Sequence, residues 1–522
     1  MRESRSFYLI LITVALAAYY LLCGIYLNKL GYSNAESLFY IEKAKIVFEG
    51  VGDRLKVMGL TAPIFPFYAS AIFSFNGNPY SPIIASALGT AILFYIMSDV
   101  LTRRFSEDFY LMLLTILFVL HPGILYVACS GKGIYLSLIF FFLFFLNLLK
   151  FYKSNTTFHI SIASICLVIL VFCDYKFIWL TLFFIPLILA IAIQSLNLSE
   201  KESIFRLSLS FNSPSLRRKL ISKTFALYII IFILPIASVI GYKLLNLTHA
   251  NDLNYFLESP YATWNVLADK LNFDDIISHR AQNELPQEIS LLISFKAIIF
   301  CPMILLAVYL FRRSTYQILT LLTPFAFIEF LHIKYDTSFL AYQYYMLFLI
   351  LAILCVIFRA HSVSRQKTFK ILLCILIPVQ IFTGYLYLAK SMIGEEKDFI
   401  SILFNRQPSE AQTSNRDVAS FINGIPSTSK ILIDDAIACP VVASIKNIKQ
   451  LTMPYQDEYS SAIEAPEKYD DYILVATAKN AATGYTQLNE KYVAYIERQN
   501  SALYLRIVYE GDDWILYQIA AK

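Results

Sequence analysis

The chain has 522 residues, of which 57% are hydrophobic, 16% aromatic and 16% charged, and its formal net charge is +5 at pH 7. This composition excludes an ordinary water-soluble protein, because a chain of this length could not cover so much apolar surface. The sequence therefore predicts a polytopic α-helical membrane protein.

The apolar segments have the length of membrane spans. Phe7 to Leu27 carries no charge and exceeds the roughly 20 residues that cross a bilayer, so we interpret it as the first span rather than a signal peptide. Ten more follow, near residues 79–98, 109–128, 133–150, 158–173, 177–194, 225–245, 295–311, 316–332, 339–358 and 369–389. Ile64 to Phe75 is too short to span and is predicted to lie along the membrane surface. We expect about eleven transmembrane helices within residues 1–390.

Basic residues occupy alternate loops between these segments. The positive-inside rule then places the amino terminus in the cytoplasm and puts residues 30–78, 246–294 and everything after 391 on the outer side. The inner loops carry Arg103, Arg104, Lys150, Lys153, Arg217, Arg218, Arg312, Arg313, Arg359 and Arg365. The net positive charge therefore reports topology and gives no support for binding nucleic acid.

The composition changes sharply near residue 391, and residues 391–522 are predicted to form a soluble α/β domain. Lys430 to Ile433 and Tyr472 to Ala476 have the pattern of buried strands. Arg506 to Tyr509 and Trp514 to Ile519 predict a hairpin around Gly511. Ser414 to Ile422 predicts a helix that ends before a glycine.

The segment after the first span carries the strongest functional signal. Glu36 lies just outside a membrane helix. Placing a carboxylate at the lipid-water boundary costs free energy, so its presence there points to a function. The same segment holds, in order, Tyr40, Ala44, Gly50, Pro63 and Pro66.

These residues resemble the polytopic GT-C glycosyltransferases, the superfamily of protein O-mannosyltransferases and lipid A aminoarabinose transferases. The resemblance covers the whole chain and rests on Glu36-Ser37-Leu38-Phe39-Tyr40, on Thr61-Ala62-Pro63-Ile64-Phe65-Pro66, on Asp174-Tyr175-Lys176 and on the soluble tail. It implies a GT-C-like membrane fold and inverting transfer of a sugar from a polyprenyl-phosphate donor, with Glu36 as the candidate general base.

The resemblance also implies substrate-binding residues. Lys132 and Lys176 are expected to hold the leaving phosphate. The other expected substrate-binding residues are Tyr40, Asp174, His332, Lys334 and Tyr335. Structural alternatives stay open: Glu36 as a first-turn acid of a helix, the two lysines as anchors that reach lipid headgroups, and Asp174 as the partner of a nearby lysine.

No cofactor is predicted. The sequence has no CxxC, HExxH or P-loop pattern, which argues against zinc-finger, zincin and ATP-driven chemistry. Where relatives often carry a pair of acids this chain has the single Glu36, and its second outer loop, Ser130 to Gly133, offers Lys132 in place of an acid. We therefore expect no metal ligands and no required divalent ion, although such an ion stays possible.

The sequence thus predicts a bacterial inner-membrane glycosyltransferase with its active site and carboxy-terminal domain on the periplasmic side. The acceptor is a lipid such as lipid A, a glycan or a protein, and the long outer loop 251–290 covers the donor or shapes the acceptor site. Two alternatives stay open. A lipid-linked oligosaccharide transporter or flippase should have charged or broken mid-span segments. An O-antigen polymerase or ligase should have a large outer loop late in the chain and no folded tail.

Overall fold

A computed structural model describes residues 2–54, 56–105, 107–154, 156–195, 213–259, 261, 292–312, 315–335, 342–391, 393–406, 412–477, 479–480, 486–497 and 504–520. Most of the predicted outer loop 251–290 lies outside these ranges.

Helices dominate the first three quarters of the chain. Residues 2–195 form α1 (Arg2–Lys29), α2 (Ala35–Glu49), α3 (Ile64–Ala71), α4 (Ser81–Thr102), α5 (Asp108–Leu120), α6 (Pro122–Cys129), α7 (Ile134–Ser154), α8 (Thr157–Cys173) and α9 (Leu180–Ser195). They are followed by α10 (Pro214–Ala250), α11 (Tyr255–Glu258), α12 (Leu292–Phe300), α13 (Met303–Phe311), α14 (Thr315–Tyr335), α15 (Tyr342–Arg359) and α16 (Gln366–Ala389).

All eleven apolar segments predicted as spans are helical. In the described part of the chain, six helices are long and apolar enough to cross a membrane, and two bent pairs raise the number to eight. The other three predicted spans are the shorter apolar helices Thr157–Cys173, Tyr175–Pro186 and Gln343–Arg359. The protein is therefore a multi-pass membrane protein. The segment predicted to lie along the surface contains only the eight-residue helix α3, which is too short to span.

Two of the predicted spans are broken at a proline. The axis bends by 64° between α5 and α6, where Pro122 begins the second helix, and by 100° between α12 and α13, next to Pro302. A proline removes one backbone hydrogen bond and clashes with the preceding turn, which favours a break, although Pro235, Pro324 and Pro378 lie inside continuous helices. The first of these bends directs α6 and the loop after it toward α2, which shapes the candidate site described below.

The carboxy-terminal residues form five strands and five helices among those described. The helices are α17 (Gly394–Asn405), α18 (Thr413–Asn423), α19 (Asp435–Ser444), α20 (Tyr459–Glu464) and α21 (Gln487–Glu497). The strands are β1 (Ile431–Leu432), β2 (Leu451–Thr452), β3 (Tyr472–Ala476), β4 (Tyr504–Glu510) and β5 (Trp514–Ala520). The predicted strands, hairpin and helix are all present, each within a few residues of its expected position.

These strands form one mixed sheet with the order β2-β1-β3-β5-β4. The strand β1 runs parallel to β2 and β3, whereas β5 pairs antiparallel with β3 and β4. Helices cover the sheet, and Ile431, Leu451 and Leu474 are fully buried. A small α/β unit therefore follows the last apolar helix, as the sequence predicted.

The tail packs against the helical part of the chain through α17. The ring of Phe399 on this helix lies 5.4 Å from the ring of Tyr32 and 5.1 Å from the ring of Tyr126, measured between centroids. The contact is apolar and well buried, which fixes α17 beside the start of α2. The first turn of α17 consequently faces the segment that carries Glu36.

Candidate functional site

The start of α2 is fixed by its N-cap. The side-chain oxygen of Asn34 accepts a hydrogen bond from the Ser37 backbone N–H at 2.8 Å, the usual way in which an asparagine caps a helix. The side-chain amide of Asn34 also donates to the Ser130 carbonyl oxygen. One capping residue therefore begins α2 and joins it to the loop between α6 and α7.

Glu36 occupies the first turn of α2 and faces that loop. Its Oε1 accepts hydrogen bonds from the Tyr40 hydroxyl at 2.8 Å and from the Gly133 backbone N–H at 2.9 Å. Within the part of the chain that the structure describes, Oε2 accepts none, and the side chain is only half-buried. Glu36 thus has one oxygen held in place and a second oxygen available to another group.

The surroundings of Glu36 raise its pKa. Burial has the largest effect, because it disfavours the charged form, and Lys132, Gly133 and Tyr40 oppose it by stabilising the carboxylate. A carboxyl with a raised pKa takes up a proton more readily than an ordinary glutamate. This is the property that a general base at near-neutral pH requires.

The loop can approach Glu36 because it lacks side chains at two positions. Gly131 adopts φ +81°, which residues with a Cβ rarely adopt. A Cβ added at Gly133 would lie 2.5 Å from the Cβ of Pro66 and 3.4 Å from Oε1 of Glu36. Pro66, part of the motif on which the resemblance rests, therefore packs directly against the loop that binds the carboxylate.

Lys132 lies between these two glycines and is almost completely buried. Its Nζ is 2.9 Å from Oε2 of Glu395, and it lies 5.7 Å from the centroid of the Tyr126 ring. Burial alone would lower the pKa of Lys132, but Glu395 and Glu36 raise it more strongly, so the ammonium stays charged. The site therefore contains one cation that is paired with Glu395 and has Glu36 as an electrostatic neighbour.

Glu395 is the site residue that the sequence analysis missed. It lies in the first turn of α17, and its Oε1 accepts a hydrogen bond from the Ala35 backbone N–H at 2.6 Å. The acidic pair Glu395-Glu396 after the last apolar segment was visible in the sequence, but acids are common at helix starts and this pair carried no specific signal. The loop Ser130 to Gly133 contains no acid, but Glu395 from the first helix of the tail places one beside Lys132.

Asp174 and Lys176 lie at the turn between α8 and α9. Asp174 accepts from the Lys176 backbone N–H at 3.0 Å, from the Gln343 side-chain amide at 2.9 Å and from the Tyr344 hydroxyl at 3.2 Å. These bonds attach the turn to the start of α15. The neighbouring Cys173 is an electrostatic neighbour of Tyr40, which places the turn at the edge of the Glu36 site.

The predicted residues on α14 lie near that turn. The Nζ of Lys334 is 3.6 Å from the centroid of the Trp179 ring, a cation–π contact. His332 is half-buried in the last turn of the same helix, and the Tyr335 side chain lies outside the described part of the structure. The structure thus brings Glu36, Tyr40 and Lys132 together and places Asp174, Lys176 and Lys334 around the adjacent turn.

No group of three or more His, Cys, Asp or Glu side chains is placed to hold a metal ion among the described residues. The carboxylate of Glu395 pairs with Lys132, and Glu36 is an electrostatic neighbour of the same ammonium. The absence of a required divalent ion stays a prediction.

The comparisons with known proteins identify the fold. No protein-family model matches the sequence, and no curated protein matches it. Two crystal structures of ArnT from Cupriavidus metallidurans match over 97% of both chains at 10% sequence identity, with a TM-score of 0.53 for the apo state and 0.51 for the state bound to undecaprenyl phosphate. The Archaeoglobus fulgidus oligosaccharyltransferase matches less well, with a TM-score of 0.42 over 98% of this chain and 74% of that chain at 11% identity.

A likeness over nearly the whole of both chains includes the helical part and the carboxy-terminal sheet together. The sequence resemblance predicted this arrangement from the segment around Glu36 and from the soluble tail. The predicted fold is therefore confirmed, and the chain has the architecture of ArnT.

Proposed function

We propose that the protein is an inverting membrane glycosyltransferase that moves a sugar from a polyprenyl-phosphate donor to an acceptor on the outer side of the bacterial inner membrane. The observation that carries the proposal is that the Glu36 carboxylate binds the backbone of Gly133, the neighbour of the buried cation Lys132. Transfer from a lipid phosphate needs a base and a positive charge at one place.

In the proposed reaction the acceptor hydroxyl oxygen attacks the anomeric carbon of the sugar. Glu36 accepts the hydroxyl proton through Oε2, while Tyr40 and Gly133 hold Oε1 in position. The bond between the anomeric carbon and the phosphate oxygen breaks, and the polyprenyl phosphate leaves with the bonding electrons. One displacement inverts the anomeric configuration, and most of the rate comes from positioning and from electrostatic stabilisation.

Lys132 is the proposed partner of the donor phosphate. A lysine ammonium binds phosphate as a point charge, and a buried lysine does so without competition from water. In this structure Glu395 forms an ion pair with Lys132, so we propose that the donor phosphate replaces Glu395 at Lys132 when it binds. Lys176, at the adjacent turn, is the second candidate for the phosphate.

The identity of the donor lipid is proposed by analogy of fold. One matching ArnT structure has undecaprenyl phosphate bound, and its chain superimposes on this one over 97% of its length. The described helices of this protein expose many apolar side chains, among them Phe225, Ile233 and Ile240 on α10, as a lipid-embedded protein requires. The proposed acceptors are those that the sequence left open: a lipid such as lipid A, a glycan or a protein.

The test is a transfer assay with purified protein in proteoliposomes that contain polyprenyl-phosphate donors with a labelled sugar. The proposal predicts that label moves covalently to an acceptor and that free polyprenyl phosphate accumulates in equal amount. Movement of intact lipid-linked sugar across the bilayer without covalent transfer would contradict it and would favour a flippase. Lengthening of a lipid-linked glycan by whole repeat units would favour a polymerase.

A further inference from the structure

Helix α2 belongs to two hydrophobic cores. Near its middle, Tyr40 and Ala44 pack with Ala62 and Phe67 of the outer segment. At its carboxy-terminal end, Ile46 packs in the main core of the tail. That tail core also contains Val57, Val418, Ile422, Ile431 and Leu451. A single helix therefore carries the candidate base at one end and completes the core of the tail at the other.

A buried ion pair joins the same helix to the tail. The Nζ of Lys43 lies 2.6 Å from Oδ2 of Asp435 in the first turn of α19, and the side chains are 2% and 3% exposed. Buried ion pairs contribute little net stability, because removing both charges from water costs about as much as their attraction returns. Such a pair instead favours one relative position of the two helices over others.

Lys45 makes a second polar contact with α19. Its Nζ donates to the carbonyl oxygens of Ala443 at 2.6 Å and Ile445 at 2.9 Å. These carbonyls lie at the carboxy-terminal end of α19, where backbone acceptors lack partners within the helix. The two lysines of α2 therefore contact opposite ends of one tail helix, which restricts both sliding and rotation.

The tail also contacts the other end of α2. Glu395 accepts a hydrogen bond from the backbone N–H of Ala35, the residue before Glu36. Lys43 follows Glu36 by seven positions, which is close to two helical turns, so both lie on one face at a separation of about 10 Å along the axis. A displacement of α2 at Lys43 would therefore move Glu36 by a similar amount.

Glu42 adds a further buried carboxyl to this contact. Its Oε1 lies 3.6 Å from Nζ of Lys43, and neither carboxyl oxygen accepts a hydrogen bond from any described residue. Burial raises the pKa of Glu42 well above its ordinary value, Lys43 opposes this rise and Asp435 adds to it. The shortest charged contact between the two helices is therefore that of Lys43 with Asp435.

We infer that the tail sets the position of Glu36 through α2, with Lys43 and Asp435 as positioning residues for the transfer reaction. The predicted effect on turnover rests on the proposed function. The predicted effect on the position of α2 rests only on the contacts of that helix. Neither residue touches the reacting atoms, so their effect is on the placement of Glu36 relative to Gly133 and Tyr40. A small misplacement of a catalytic group can lower turnover by about a hundredfold.

The experiment compares Lys43→Met, Asp435→Asn and the double variant Lys43→Met/Asp435→Leu with wild type in the full-length protein. The matched control is Asp470→Asn, which neutralises a buried tail carboxyl that accepts a hydrogen bond from the Thr452 hydroxyl. Three quantities are measured: turnover, donor affinity, and hydrogen exchange of the backbone amides of residues 35–49.

We expect each single variant to lower kcat at least about tenfold with donor affinity nearly unchanged, and to speed exchange in α2. The acidic limb of the pH–rate profile should move to higher pH, because Glu36 loses part of its contact with Gly133 and Tyr40. The double variant should recover part of the activity, since neither charge is left buried without its partner. The control Asp470→Asn should keep the wild-type kcat, pH profile and exchange in α2.

Single variants that keep the wild-type kcat, pH profile and exchange in α2 would overturn the inference, as would an equal loss of kcat in Asp470→Asn. Lys43→Arg keeps the charge and tests whether any substitution at this position causes misfolding. It should retain more activity than Lys43→Met. If wild-type protein transfers no sugar, the proposed function fails, and the exchange measurement alone still decides whether the ion pair positions α2.

Discussion

The ammonium group of Lys132 lies 2.9 Å from a carboxylate oxygen of Glu395, and the pair joins a loop between two membrane helices to the first helix of the tail. Glu395 also binds the backbone beside Glu36. The tail therefore supplies part of the candidate site, and its first helix reaches the region where the donor phosphate is proposed to bind.

Replacing either member of this pair should change donor affinity in opposite directions. Lys132→Met removes the proposed phosphate contact and should weaken donor binding about tenfold to a hundredfold, the value of a charge-assisted hydrogen bond. Glu395→Gln removes the group that competes with phosphate and should leave donor binding equal or tighter. Titration of each purified variant with polyprenyl phosphate measures both changes.

Both substitutions leave one buried charge without its partner, so both should lower thermal stability. Stability thus serves as the internal control, and donor affinity distinguishes the two variants. Equal weakening of donor binding in Lys132→Met and Glu395→Gln would show that the pair is structural and would remove Lys132 from the phosphate site.

Tyr40→Phe should shift the pH dependence of transfer. The Tyr40 hydroxyl donates to Oε1 of Glu36, and a hydrogen bond to the carboxylate lowers its pKa. Without this bond the pKa of Glu36 rises further, so less of the base is ionised at a given pH. The acidic limb of the kcat/KM profile should move to higher pH by about one unit, since a bond to a charged group contributes about 1.5 kcal/mol or more. An unchanged acidic limb would show that the Tyr40 hydroxyl does not affect the pKa of the base.

The stability of the tail should fall as the pH rises. Burial raises the pKa of Asp470 to about 6, with the Thr452 hydroxyl opposing the rise. The folded tail therefore favours the protonated carboxyl, and this contribution is lost between the ordinary value of 3.8 and about 6. Asp470→Asn should raise the melting temperature at pH 7.5 relative to wild type and should bring no gain at pH 4. Equal effects at both values would show that burial of this carboxyl does not cause the pH dependence.

Local patterns were enough to predict most of the fold. The eleven apolar segments became helices because uninterrupted apolar runs of this length have few other ways to satisfy their backbone in lipid. The turn around Gly511 and the alternation on either side of it predicted the hairpin formed by β4 and β5. Glu36 was predicted as a site residue because a carboxylate beside a first span is rare and because Tyr40, Pro63 and Pro66 follow it in the order of the motif. Its role stays a prediction.

Contacts between distant parts of the chain were not visible in the sequence. Glu395 reaches Lys132, and Asp435 reaches Lys43, only after the tail has folded back onto α2 and the loop between α6 and α7. Each of these residues is an ordinary charged side chain in its local sequence. The breaks at Pro122 and Pro302 were also missed, because the apolar pattern continues through both prolines.

A structural role of Asp174 is compatible with its predicted role in binding substrate. Its carboxylate accepts three hydrogen bonds that attach the turn to α15, which is a structural role. The same turn carries Lys176, and the roles of Asp174 and Lys176 in binding substrate stay predictions. Asp174→Asn should lower stability by about 1 to 3 kcal/mol, measured by thermal unfolding.

The most direct test of the central claim is sugar transfer by Glu36→Gln compared with wild type at equal folding and equal donor binding. The amide keeps the shape of the side chain and removes the base. The account predicts a loss of turnover of about a hundredfold or more, the scale of general-base catalysis, with donor affinity unchanged. Wild-type turnover in Glu36→Gln would contradict it, because the proton of the acceptor hydroxyl would then have to leave by a route that does not involve Glu36.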